Sequence, residues 1–308
     1  MKRAAVLPSL GIGDALLMMV ASHQLKMEGY QVTTFHDALP ELSSWFPGHE
    51  FSARPECLID ALPPFDLILA ENDNSPKIKE LIHHYRPRLS IFYPTYSSSK
   101  HAPLSIQDYA FDPNLPMADN IAEATASLLD LQAPSKENGI APLPGLVHRA
   151  NEKRILIHPT SSIPEKNWKA ENFIQLAHRL KTKGYEPLFC VGPRERNKWI
   201  NIEKERFVLA EAPTLSTLAS LIYGSGYVIG NDSLAGHLGS NLGIPTLIIA
   251  NDEKRMRLWR PGWQKGHLVL PQPYLPNWKF LRLREKKWQN FITVRTVLRR
   301  FDDLRRSL

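Results

Sequence analysis

The stretch YVIGNDSLAGHLGSNLGIPTLIIAND, residues 227–252, decides the fold. An apolar run, YVIG, stops at Asn-Asp-Ser; a helical segment, LAGHLGSNLG, follows; a second apolar run, PTLIIA, closes the unit. Two β-rich runs on either side of a helix make a parallel βαβ crossover. A strand ending at Gly230 and a helix beginning near Asp232 put unpaired backbone N–H groups, a carboxylate, a hydroxyl and an imidazole at one corner. Corners of that kind bind anions.

The same alternation extends back through the chain. Strands are predicted at RAAVL, QVTTF, FDLILA and LSIFY, with helices starting near Asp14 and Pro76 and another at ADNIAEATASLLDL. After a Pro- and Gly-rich stretch from Gln132 to Lys153, the pattern restarts with RILIHP, helix ENFIQLAHRLKTKG, strands EPLFCVG and RFVLA, and helix LSTLASLIYGSG. The class is α/β, with two doubly wound domains and a boundary in that stretch. Folds of this kind place their ligands at the C-terminal edges of the strands, here in a cleft between two such edges. The last stretch, EKKWQNFITVRTVLRRFDDLRRSL, carries apolar residues at helical spacing with basic residues opposite.

A chain of 308 residues, 43% hydrophobic, fits two ordinary domains, each with its own core. Pro8, Gly11, Gly13 and Asp14 interrupt the apolar N-terminal run, so it reads as a buried strand and a cytoplasmic start rather than a signal peptide. No window reaches the roughly 18 apolar residues of a membrane span. Cys57 and Cys190 read as reduced core thiols, with no cysteine-based zinc spacing. A net charge of +7 points to anionic partners, whether nucleic acid, lipid surface or phosphorylated substrate.

Four places carry chemistry. In LPSLGIGDALL, residues 7–17, Gly11 and Gly13 match half of a dinucleotide fingerprint, with Asp37 after the second strand as the ribose acid; Leu16 occupies the third glycine position and argues against a nicotinamide cofactor. Asp14 reads either as a helix N-cap or as a general base at the positive end of a helix dipole. At the opening stretch, Ser233 and the first amides of the helix can hold a pyrophosphate, and His237 either adds a hydrogen bond or only packs. Asp232 is assigned as a cap first and a ligand second. In HPTSSIPEKNWKAENF, residues 158–173, Thr160, Ser161 and Ser162 share a loop with Lys166, either a solvated lysine or a phosphate-neutralising point charge. Trp168 is expected to pack at the start of the next helix. Finally Lys254, Arg255, Arg257 and Arg260 interleave with Trp259 and Trp263, a pattern open to nucleic acid, phosphate or an acidic acceptor.

Taken together and in order, G-x-G-D, H-P-T-S-S…K-x-W and G-N-D-S…H-L-G-S-N-L-G-I-P-T resemble the heptosyltransferase family, glycosyltransferase family 9. The resemblance implies a GT-B fold: two Rossmann-like domains facing each other across a cleft. It implies an acceptor-binding domain over 1–150, completed by a terminal helix at about 290–308 that braces it, the alternative being that this basic helix lies against an anionic inner leaflet, and a nucleotide-sugar-binding domain over 151–290. It makes Asp14 the catalytic base and Lys166 the donor-phosphate lysine. Asp232, Ser233 and His237 become the donor-site residues of a D-[ST]-G-x-x-H motif, with Thr160 and Ser161 beside them. It further implies inverting, metal-independent transfer, without cofactor, of heptose from a nucleotide-diphosphate sugar, commonly ADP-heptose. The acceptor would be an anionic glycolipid or glycan of the lipopolysaccharide core, met in the cytoplasm or at the cytoplasmic face of the inner membrane, with no nucleic acid partner. Two departures fall in the donor site. Leu234 stands where the family has glycine, with Gly236 nearby, and Asn251-Asp252 follow the strand where a glycine-containing loop is usual. A nucleotide-sugar-binding protein, or an epimerase or hydrolase with no glycan acceptor, is the alternative.

Overall fold

The computed structural model of the chain describes residues 1–264, 266–271 and 287–308. It divides into two compact units, Met1–Ala141 with Arg257–Arg260, and Pro142–Met256 with the described part of Pro261–Leu308. The division falls inside the expected stretch but before residue 150. Ala141 N–H still bonds the Trp45 carbonyl of the first unit, and Arg149 N–H already bonds Tyr223 of the second. No helix among the described residues is long and apolar enough to cross a membrane.

The first unit holds six parallel strands: β1 (Arg3–Leu7), β2 (Gln31–Phe35), β3 (Glu50–Ser52), β4 (Leu67–Glu71), β5 (Leu89–Tyr93) and β6 (Tyr109–Ala110). Their order is β3-β2-β1-β4-β5-β6. The crossover helices are α1 (Ile12–Met27), α2 (Leu58–Ala61), α3 (Pro76–Tyr85) and α4 (Met117–Leu129). Helix α1 is apolar almost all round, and α4 packs against it. Leu16 is fully buried, so the place of a third fingerprint glycine is filled by core.

The second unit repeats the plan with β7 (Asn151–His158), β8 (Glu186–Phe189), β9 (Val208–Leu209), β10 (Ser225–Asn231), β11 (Thr246–Ile249) and β12 (His267–Val269), in the order β12-β11-β10-β7-β8-β9. Its helices are α5 (Ala170–Thr182), α6 (Arg196–Trp199), α7 (Leu215–Tyr223), α8 (Leu234–Asn241) and the start of α9 (Glu253–Trp259), whose end from Arg257 on is counted with the first unit, and the terminal helix spans Val294–Arg306. Read from its own first strand, each sheet has the Rossmann order, with a topological switch point beside β1 and beside β7. Gly230 lets β10 run against β7: a Cβ there would lie 2.5 Å from the His158 carbonyl oxygen.

Two expectations need correction. The terminal helix does not complete the first unit. Its apolar stripe, Val297, Phe301 and Leu304, is fully buried in the core of the second with Ile155, Leu180 and Tyr227, and Phe301 lies edge-on to Tyr185 and Tyr227 at 5.1 and 5.0 Å. An amphipathic helix goes wherever its stripe finds an apolar face, and here that face belongs to its own unit. Glu285 and Lys286, which open the stretch read as this helix, lie outside the described residues. The second correction concerns Cys57, which is exposed; Cys190 alone is a core thiol, and burial pushes it up to about 11.

Candidate functional site

Each unit presents a group of polar side chains at the C-terminal edge of its own sheet. In the first, the chain leaves β1 through Pro8–Gly11 and enters α1 at Ile12. Gly11 is the N-cap residue and carries no capping side chain, so Asp14 is no cap; it lies within the first helical turn and is half-buried. A Cβ on Gly11 would stand 2.5 Å from Asp14 Oδ2, so the glycine leaves the carboxylate room against the turn. Ser9 Oγ donates to that oxygen at 2.9 Å, and Ser9 N–H donates to Glu71 Oε2 at 3.0 Å. Glu71 ends β4 almost wholly buried; burial first, then the charge of Asp14, raises its carboxyl to about 8. Asp37 does not stand ready for a ribose: its Oδ1 accepts the backbone N–H of Arg54 at 2.9 Å.

Beside this edge, beyond β4 and β5, opens a cavity of about 730 Å³ lined by Asn72, Lys79, Tyr93, Tyr96, Lys100 and His101 among others. His101 is fixed against the rings of Tyr93 and Tyr96 and by hydrogen bonds at both ring nitrogens. Its Nδ1 accepts from Ser97 N–H at 3.0 Å, which leaves Nε2–H to donate to Asn74 Oδ1 at 2.7 Å. Neither Lys79 nor Lys100 has an ion-pair partner among the described residues. The cavity thus combines cations, amides and aromatic faces.

In the second unit Asn231, fully buried at the end of β10, organises the corner. Its Nδ2 donates to the Pro159 carbonyl at 2.7 Å, and its Oδ1 accepts from Trp168 N–H at 2.9 Å. These bonds fasten the 159–168 loop to the start of α8. Trp168 is buried as expected and donates through Nε1 to the Ile292 carbonyl at 3.0 Å. Trp288 reaches the Glu165 carbonyl at 3.0 Å, so the segment before the terminal helix also holds the Lys166 turn.

Asp232, read from sequence as a cap, does not cap α8: Ser233 is the N-cap residue and makes no capping bond. The carboxylate instead meets Lys166 Nζ at 3.6 Å and Arg255 Nε at 3.5 Å. The repulsion it would exert on a bound anion is thereby offset, because two cations flank one carboxylate. The amides of Leu234 and Ala235 at the head of α8 have no intrahelical acceptor, while Gly236 N–H bonds the Ser233 carbonyl at 3.1 Å. Ser233 Oγ lies 3.3 Å from Nδ1 of His158, which burial holds neutral and which also meets the Thr160 carbonyl at 3.1 Å. His237 is buried within α8. Gly236, which by sequence could ease a phosphate's approach, faces the sheet: a Cβ there would strike Ile248 Cδ1 at 2.4 Å.

Thr160 and Ser161 sit in this loop, but their hydroxyls are already engaged, one outside the loop and one within it. Thr160 Oγ1 donates to Glu195 at 2.7 Å, and Ser161 Oγ contacts the Ile163 carbonyl and Asn167 Oδ1 at 2.9 and 2.8 Å. The structure therefore gathers Lys166, Asp232 and Ser233 of the expected donor set and adds Arg255, His158 and Asn231. Arg255 was visible only as part of a basic cluster, and Asn231 only as the first letter of an Asn-Asp-Ser turn. Ser9 and Glu71 were missed beside Asp14. No group of three or more His, Cys, Asp or Glu side chains with metal-holding geometry occurs among the described residues.

The family model for glycosyltransferase family 9 (heptosyltransferase) matches residues 103–267, more than half of the chain. The chain belongs to glycosyltransferase family 9. This glycosyltransferase is similar in structure to E. coli ADP-heptose LPS heptosyltransferase II, with TM-score 0.71, 17% identity and coverage of 99% of this chain and 98% of that one. A family 9 glycosyl transferase from Veillonella parvula DSM 2008 follows at 0.69, 17%, 98% and 97%. E. coli heptosyltransferase WaaC, solved with ADP, gives 0.72, 14%, 98% and 99%. At such identities the likeness fixes the fold, and that fold is GT-B. A search of curated proteins finds no match.

Proposed function

We propose that this glycosyltransferase moves heptose from ADP-heptose, with inversion, to a hydroxyl of a lipopolysaccharide core or related anionic glycan. The family's description as heptosyltransferase supports the sugar, and the solved complexes of WaaC with ADP and with ADP-2-deoxy-2-fluoro heptose support the donor. The observation that carries the reading is the Lys166–Asp232–Arg255 cluster at the N-terminus of α8. A diphosphate leaving group needs preorganised positive charge there, and two cations with free helix amides supply it.

In this mechanism Asp14 takes the proton of the acceptor hydroxyl, and the oxygen attacks the anomeric carbon. The bond from that carbon to the diphosphate breaks on the opposite face, which inverts the centre. The negative charge left on the diphosphate is met by Lys166, Arg255, Ser233 and the first amides of α8, with His237 in support, rather than by a metal. The acceptor belongs to the first unit, where the cavity with Lys79 and Lys100 suits a sugar bearing phosphate or carboxylate. The outward arginines of the terminal helix, Arg295 and Arg299, suit a peripheral contact with the anionic cytoplasmic face of the inner membrane. Incubation with ADP-heptose, GDP-, UDP- and TDP-sugars, with and without a heptose-deficient core oligosaccharide, tests the assignment. Donor consumption in proportion to acceptor, with ADP-heptose alone, is the expected result. Consumption independent of acceptor would make the protein a hydrolase or epimerase, and binding without consumption a nucleotide-sugar-binding protein.

A further inference from the structure

We propose that Glu71 is a positioning residue for Asp14, acting through Ser9 to fix which carboxylate oxygen is free for the acceptor hydroxyl. The inference rests on the reading of Asp14 as base. Ser9 is held from both sides: its N–H donates to Glu71 Oε2 at 3.0 Å and its hydroxyl to Asp14 Oδ2 at 2.9 Å. Gly11 lies over the same Asp14 oxygen, so Oδ2 is enclosed by the turn. Oδ1 accepts no hydrogen bond among the described residues and is the oxygen left to take a proton.

A buried glutamate at this place is costly unless it stays neutral. The charged groups that face it are Asp14 from α1 and Asp73 just beyond β4, both anionic, against only the two Ser9 donors. The other ionisable groups near the turn are engaged with its backbone: Arg54 Nη1 donates to the Pro8 carbonyl at 3.1 Å, and His36 Nε2 meets the Leu10 carbonyl at 3.2 Å. Protonated, Glu71 leaves Asp14 the only anion within reach of the Ser9 hydroxyl, and a charged acceptor wins that hydrogen bond. Once Glu71 ionises, two carboxylates compete for one hydroxyl and the lock on Oδ2 loosens. The second negative charge also repels an anionic acceptor. Activity toward the acceptor should therefore fall as pH passes about 8.

Two measurements test this. In the substrate-free protein, carboxyl carbon NMR of ¹³C-Glu-labelled wild type, with E71Q to assign the signal, should show Glu71 titrating near pH 8, and D14N should move that titration downward. In transfer assays with ADP-heptose and a heptose-deficient core oligosaccharide, E71A should lower kcat roughly tenfold or more through misplacement of the base, with the donor KM unchanged. E71Q keeps a neutral amide in the same place; it should recover most of that loss and lack the alkaline fall in kcat/KM. A Glu71 signal that titrates with the ordinary glutamates, or an alkaline fall that survives in E71Q, overturns the inference alone. Wild-type turnover in D14N overturns the base reading and this inference with it.

Discussion

At the residue scale, the Asp14 turn and the Lys166–Asp232–Arg255 corner make separable predictions. D14A should abolish transfer, a loss of about 10²–10⁴-fold if only proton transfer is removed, while nucleotide affinity by calorimetry stays that of wild type. K166A should weaken ADP binding by about tenfold or more, since a charge-assisted contact of roughly 1.5–3 kcal/mol is lost and Asp232 is left with Arg255 alone. D232N should raise ADP affinity if the carboxylate only tempers the cations, and lower it if the carboxylate orients them; the structure favours the second outcome, because both cations converge on Oδ2. Glu71 adds a stability signature. Its folded-state carboxyl lies above its ordinary value of 4.5, so its contribution is fullest below that value and is lost as pH rises toward about 8. E71Q should therefore melt higher than wild type by a margin that widens over that window, and a constant margin would count against the protonated Glu71.

At the element scale, the βα corners were legible because strand and helix periods switch sharply there. YVIG and LAGHLGSN appear as β10 and α8, and RAAVL and the segment after it as β1 and α1. The two- and three-residue edge strands β3, β6, β9 and β12 are too short for a period, and only β9 had been expected. Which side chains the corners use was less legible, because a hydrogen bond from Asn231 to Pro159 spans parts of the chain that no local pattern links. N231A should cost about 1–3 kcal/mol in unfolding free energy from the groups it orphans, and should weaken ADP binding through the freed Lys166 loop. G236A, which drives a methyl into Ile248, should cost about 1–3 kcal/mol with little change in donor affinity, since that face of α8 looks away from the corner. His23 and His49 meet at 3.2 Å between α1 and the loop before β3, and burial lowers both, His49 to about 4. The stability they lend is present above 6.5 and lost as pH falls toward about 4, so a wild-type melting temperature that drops no faster than that of H49Q across this range would contradict the assignment.

At the scale of the whole molecule, two Rossmann-ordered sheets follow from a pattern written twice, whereas the allegiance of the terminal helix does not. Its stripe of Val297, Phe301 and Leu304 is equally suited to any apolar face, and only three-dimensional packing chooses one. F301A should cost about 3–5 kcal/mol and lower the melting of the second unit while the first is unaffected, as read by domain-resolved hydrogen exchange. The same packing sets an order of events during translation. Residues 1–141 hold all six strands of the first sheet and can close their core while the ribosome is still at work. The other core waits for Phe301, and the Lys166 turn for Trp288 and Ile292. A nascent chain interrupted shortly before residue 288 would carry the Asp14 turn already formed and still lack the bonds that hold the Lys166 turn at the α8 corner.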